Sequence, residues 1–191
     1  MIDFNSIRTT TQVNSWEVKL HSGFFVAMTD CLDEIAFELQ KRTGSGSPQT
    51  PIYVVGHSLG GALAAIAHAL SRTTFSSYHR YGLAKTAALN THSSFSFGMP
   101  RYGDDRAISN LRTPFHIYND RDLVPGVPTK WMGFESVPIE YRSGEGGSLN
   151  QKAQDRQSLR WWFSRVHLAR GVRHHLIERY IRRLGKAAGV Y

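Results

Sequence analysis

One serine set between glycines, two nearby aspartates and two adjacent histidines are the residues of this chain best suited to covalent chemistry. The serine is Ser58, in the run Pro51-Ile52-Tyr53-Val54-Val55-Gly56-His57-Ser58-Leu59-Gly60-Gly61-Ala62-Leu63-Ala64. A serine hydroxyl is a weak nucleophile until a neighbouring base takes its proton. That base is usually a histidine, held by a buried carboxylate. Asp120 and Asp122 follow Ser58 in the chain, and His174 and His175 follow them. Serine, acid, histidine is the order found where a nucleophile tops an α/β sheet on a strand-to-helix turn. At this level both aspartates and both histidines remain open.

The elements that must hold Ser58 can be read around it. Residues 52–55 form a continuous apolar run, as expected of a central strand covered on both faces. Gly56 and Gly60 have no side chain to collide where the chain reverses around Ser58. The alanine-rich stretch from Ala62 predicts a helix running to about Ser71. The backbone N–H of Leu59 then falls at the helix N-terminus, aimed where an oxyanion would form.

The rest of the chain supplies the frame. Residues 1–20 are polar and weakly patterned, with a short strand at 16–20. Residues 24–42 predict a helix with Phe25, Met28, Leu32, Ile35 and Leu39 on one face. A loop at 43–48 leads to the serine strand. Further strands are expected at 93–97, 115–118 and 134–141, a short helix at 107–111, a loop at 143–158 and a last helix at 176–184. Strands alternating with helices predict one α/β domain over residues 1–191, with a mainly parallel sheet. Ligands of such sheets bind beyond the carboxyl ends of the strands, where Ser58 and Asp122 both fall.

Composition narrows the function classes. At 191 residues, with 41% hydrophobic and 20% charged residues, this is an ordinary globular chain. The single cysteine, Cys31, excludes an internal disulfide and is expected in the core or at its boundary. No Cys/His cluster has zinc-site spacing, and no stretch is long and apolar enough to span a membrane. Residues 1–6 lack a basic flank followed by an apolar core, which points to the cytoplasm. The net charge is +8. Residues 1–150 balance 13 Lys+Arg against 13 Asp+Glu, whereas residues 151–191 carry 10 against 2. In that tail, Arg160-Trp161-Trp162-Phe163-Ser164-Arg165 interleaves cations and aromatics. The pattern fits a solvated cationic helix with aromatics packed inward, an anionic lipid surface, or nucleic acid, in that order.

Five segments together resemble the class 3 (fungal-type) lipases of the α/β-hydrolase superfamily. His21-Ser22-Gly23-Phe24 is similar to the family's histidine-x-glycine-phenylalanine element, and residues 56–64 to its nucleophile turn. Phe97-Gly98-Met99-Pro100-Arg101-Tyr102-Gly103 resembles its phenylalanine-glycine-x-proline-arginine turn. Residues 119–128 resemble its acid loop, where the aspartate precedes an aliphatic pair and proline. His175-Leu176-Ile177-Glu178-Arg179-Tyr180 resembles its histidine element, with a tyrosine five residues on. The resemblance implies Ser58 as nucleophile, Asp122 as acid and His175 as base, with Leu59 an oxyanion donor. It implies a lipid or small ester substrate and no metal or organic cofactor. Asp120 is left as a turn residue, His174 as a surface or helix-start residue, and His21 as packing for the helix start.

The resemblance also implies an upstream strand ending in an arginine-glycine-threonine-like turn that supplies a first oxyanion donor. Residues 1–5 resemble the segment after that turn. The expectation is therefore half an oxyanion hole, and a strand over 52–55 left at a sheet edge or beside a gap. A start placed too late, residues 1–20 substituting for the strand, or a reduced relative would each account for this. Two functions follow: a serine carboxylester hydrolase, or a weakly active or non-catalytic lipid-associating relative.

Overall fold

Alternation of buried and exposed residues builds the first two strands. In β1 (Arg8–Val13) Thr11 and Val13 are buried, and in β2 (Trp16–His21) Val18 and Leu20 are. This is the period of two that puts one face of a hairpin on the core. Asn14, at φ 53°, turns the chain between them, a conformation asparagine tolerates. β2 was legible in the sequence, whereas β1 lay in the stretch read as weakly patterned. The computed structural model describes residues 7–43, 50–76, 84–86, 89–144, 148–151 and 171–190. The Arg160–Arg165 segment lies outside the described residues.

After β2 come α1 (Ser22–Thr43), β3 (Tyr53–His57), α2 (Leu59–Leu70), β4 (Thr74–Ser76) and β5 (Ala84–Thr86). Then follow β6 (Ser93–Phe97), α3 (Asp105–Asn110), β7 (Phe115–Asn119), β8 (Glu140–Ser143), β9 (Leu149–Gln151) and α4 (Ile177–Ala187). The strands form two sheets. One is antiparallel, in the order β2-β1-β4-β5. The other has the order β3-β6-β7-β8-β9 and is parallel through β8, with β9 antiparallel. The expectation of a mainly parallel sheet holds for this second sheet, whose β3 and β7 carry the site.

The core lies where α1 and α2 meet the sheets. Phe25, Met28 and Leu32 of α1 share one buried cluster with Ala62, Ala65 and Ile66 of α2, and with Val13, Val18 and Leu20. The small side chains of α2 let that helix approach closely. Ile35, expected on the same face of α1, is 38% exposed, and the neighbouring Ala36 is buried instead. Cys31 is half-buried, as expected of a boundary residue.

Three expectations need correction. The run 52–55 is not a strand covered on both faces. β3 is the outermost described strand of its sheet, and Tyr53 and Val55 are 53% and 62% exposed. An apolar run reports burial potential, not how many strands flank it. The strand read at 134–141 is confined to its end, Glu140–Ser143, which pairs with β7 from His116 to Asn119. Phe134 and Val137 are buried from irregular backbone instead. Finally, the loop expected from 143 contains β9, paired to β8.

The two apolar populations should respond differently to substitution. Leu32→Ala, in the closed core, should lower the unfolding free energy by about 2–5 kcal/mol. Val55→Thr, on the open strand, should stay within about 0.5 kcal/mol. Urea denaturation of both variants checks the contrast.

Candidate active site

The site is built at the carboxyl ends of β3 and β7. Ser58 follows β3 directly and caps α2, with φ 56° and ψ −129°. A non-glycine residue in that region is strained, and such strain persists only where its surroundings hold it. Here the Ser58 amide donates to the Phe97 carbonyl at 2.9 Å, and the Gly61 amide donates to the Ser58 carbonyl at 3.0 Å. Gly56 makes the crossing possible, since a Cβ there would lie 2.1 Å from the Gly60 carbonyl oxygen. A Cβ on Gly60 would meet nothing within 4 Å. The steric requirement expected of both glycines therefore falls on Gly56 alone.

The loop after β7 brings in the carboxylate. The Asp122 amide donates to the Asn119 carbonyl at 2.9 Å, folding the loop back over the strand end. Asp122 Oδ1 accepts from the Val124 amide at 2.9 Å. Its Oδ2 accepts from His175 Nδ1 at 2.9 Å and from the Tyr180 hydroxyl at 2.5 Å. The Asp122 side chain is fully shielded, whereas that of His175 is 19% exposed. A shielded carboxylate needs such donors to remain charged. Because Asp122 can only accept, His175 carries its proton on Nδ1 and presents Nε2 as an acceptor. The Ser58 hydroxyl reaches that Nε2 at 2.7 Å.

Tyr180 lies on the buried face of α4. Its oxygen accepts from the Asn119 amide at 3.1 Å while it donates to Asp122. Burial, the Asp122 charge and this hydrogen bond push its phenol far above its ordinary pKa, so it remains a donor at all working pH values. Gly98, at φ 56°, forms the floor. A Cβ there would lie 2.7 Å from both Asp122 Oδ2 and the Tyr180 oxygen. Arg101, three residues on, is buried and donates to the carbonyls of Gly126 and Pro128 at 2.7 and 2.9 Å. The glycine and arginine of the Phe97–Gly103 turn thus shape the acid loop from below.

The structure separates the rival pairs by geometry. His175 bridges Asp122 to Ser58, whereas Asp120 and His174 pair with Arg183 and each other instead. Neither of the latter two is idle. Arg183 donates to Asp120 Oδ1 at 2.8 Å and to the Ser143 carbonyl at 2.9 Å. His174 is buried rather than on the surface, with Nδ1 3.7 Å from Asp120. Burial opposes the Asp120 charge, but the hydrogen bond and charge of Arg183 outweigh it and hold the carboxyl below its ordinary 3.8. Burial, then Arg179 and Arg183, lower His174. His21, as expected, packs the helix start, its ring stacked on Phe24 at 3.9 Å.

Sequence reasoning missed Asn119 and Arg183, and noted Tyr180 only by spacing. The signal available was the pairing of Tyr180 with Arg183 three residues on, which puts two polar groups on one helix face.

Residues 2–132 match the family described as Lipase (class 3). The chain belongs to the class 3 lipase family. The match includes Ser58 and Asp122 and ends before His175. A secreted mono- and diacylglycerol lipase of Malassezia restricta is 30% identical over 123 residues, covering 62% of this chain and 37% of that protein. One from Malassezia globosa is 31% identical over 128 residues, covering 64% and 38%. This class 3 lipase chain therefore spans just over a third of the length of these relatives. Among solved structures, lipase II from Rhizopus niveus aligns with a TM-score of 0.55 at 28% identity, over 72% of this chain and 50% of that one. The fold is accordingly that of the α/β-hydrolases.

Two outcomes follow from the polar network. Tyr180→Phe removes a donor to Asp122 and strands the Asn119 amide, so it should cost about 1–3 kcal/mol, measured by urea denaturation. The depressed carboxyl of Asp120 stabilises the fold above its unfolded pKa, and that stability is lost as pH falls through the lower, folded value. His174, lowered when folded, stays neutral where the unfolded chain is protonated, so stability also falls as pH drops below about 6.5. Denaturation midpoints from pH 7 to 3 should decline, and Asp120→Asn should flatten the part below about pH 4.

Proposed function

We propose that this chain is a serine carboxylester hydrolase of lipase type, cleaving acyl esters through Ser58, His175 and Asp122. The observation that carries the reading is the unbroken relay from Ser58 Oγ to His175 Nε2 at 2.7 Å and from His175 Nδ1 to Asp122 at 2.9 Å. Family membership and the secreted mono- and diacylglycerol lipases among its relatives support acylglycerol esters as the substrate class.

In this reading Ser58 attacks the ester carbonyl as His175 takes its proton. The positive charge that forms on His175 is stabilised by Asp122, which itself stays ionised. His175 then protonates the leaving alkoxide. Water, activated by the same imidazole, releases the acid from the acyl-enzyme. The negative oxygen of each tetrahedral intermediate needs donors. Leu59, first residue of α2, offers its amide at a helix start, where N–H groups have no intrahelical acceptor. Each such donor is worth about 100- to 1,000-fold in rate.

Hydrolysis of p-nitrophenyl butyrate and palmitate tests the reading. Ser58→Ala should lower kcat by about a million-fold, and Asp122→Asn by about 10,000-fold. A fluorophosphonate should form its adduct on Ser58. Hydrolysis unchanged in Ser58→Ala would remove the proposal.

A further inference from the structure

The hydrogen bonds above fix the imidazole of His175 but leave open what fixes its backbone. His175 closes a helical turn at 171–175, and Leu176 then leaves helical geometry with φ −61° and ψ 135°. Carbonyls at such a helix end have no intrahelical donor. Two side chains from the parallel sheet meet this need in succession. Asn119, the last residue of β7, donates its Nδ2 to the His174 carbonyl at 2.7 Å. His57, the last residue of β3, places Nε2 2.8 Å from the His175 carbonyl. A carbonyl can only accept, so the proton of His57 sits on Nε2. The His57 ring also stacks on the His175 ring, with centroids 4.7 Å apart and planes 29° apart, and meets Tyr180 edge-on at 5.5 Å.

We infer that His57 is a positioning residue, whose Nε2–H clamps the His175 carbonyl and so sets the reach of His175 Nε2 to Ser58. The inference rests on the Ser58–Asp122–His175 reading. Its particular force is that the clamp and the nucleophile are consecutive residues. A shift of β3 carries Ser58 and the backbone anchor of His175 together, so their separation is preserved. Asn119 does the same from the acid side, since β7 leads directly into the Asp122 loop. The base is therefore referenced at one carbonyl to the nucleophile strand and at the preceding carbonyl to the acid strand. Without His57 the peptide after His174 keeps one anchor and can pivot about it.

The clamp and the stack can be separated by substitution. His57→Phe keeps a ring and loses the donor, whereas His57→Gln keeps a donor and loses the ring. Turnover of p-nitrophenyl butyrate is measured per site titrated with fluorophosphonate. His57→Phe should lower kcat by about 10- to 100-fold with KM nearly unchanged, as a displaced catalytic group does. His57→Gln should recover most of that loss. A second readout needs no turnover: solvent exchange of the His175 Nδ1 proton, followed by NMR, should quicken in His57→Phe and not in His57→Gln. Unchanged kcat in His57→Phe, equal losses in both variants, or proton exchange at the wild-type rate would overturn the inference. If His57→Phe does not fold, His57→Ala is read in the same way. A wild-type chain without hydrolysis would instead overturn the proposed function, and the exchange rates would still decide the clamp.

Discussion

The shielded carboxylate of Asp122 is the constraint on which the site depends. An ionised group taken out of water must be surrounded by donors or it takes up a proton. Here the donors come from three places: its own loop through Val124, the base through His175, and α4 through Tyr180. Each donor draws a separate piece of chain to one point. Satisfying a single buried charge therefore also docks the last helix and fixes the tautomer of the proposed base.

Around that point the polar groups form two nested sets. The inner set is Ser58, His175, Asp122 and Tyr180, with Gly98 leaving room for it. The outer set is Asp120, Arg183, His174 and Asn119, which joins β7, the end of β8 and α4. The two sets interleave in sequence, residue beside residue, yet serve different ends. One aligns the atoms proposed to react and the other holds their supports. This explains why the pairs 120/122 and 174/175 could not be resolved from residue types, since every member is engaged and only the three-dimensional partner tells the roles apart.

Local pattern made part of the architecture legible. The strand at 93–97 and the helix after Ser58 stand close to where they were expected, β6 over the same five residues and α2 ending at Leu70, because each is a short element bounded by a clear turn. β1 escaped notice because a buried threonine, Thr11, takes a place where a hydrophobic residue would have signalled the alternation. The reading of 134–141 failed for the opposite reason, as Phe134 and Val137 are apolar enough for a strand but reach the core without pairing. The edge position of residues 52–55 was beyond the run itself, because sheet neighbours are a property of the whole fold. The turn at Ser58 was legible because its constraint is steric and local, down to the 2.1 Å that a Cβ on Gly56 would leave.

The distances along the chain give the relay a temporal meaning. Ser58 and His175 touch across 117 residues of sequence, and His175 and Asp122 across 53. Contacts of such separation form late, since most of the loop entropy must be lost before they can hold. During synthesis the turn at Ser58 and the acid loop precede the stretch that carries His175, Tyr180 and Arg183. A ribosome-bound chain halted before residue 171 would hold the proposed nucleophile and acid but not the proposed base, and a bare serine hydroxyl is nearly inert toward esters. In the proposed reading the order of translation therefore leaves the site incomplete until the stretch carrying His175 and α4 has docked.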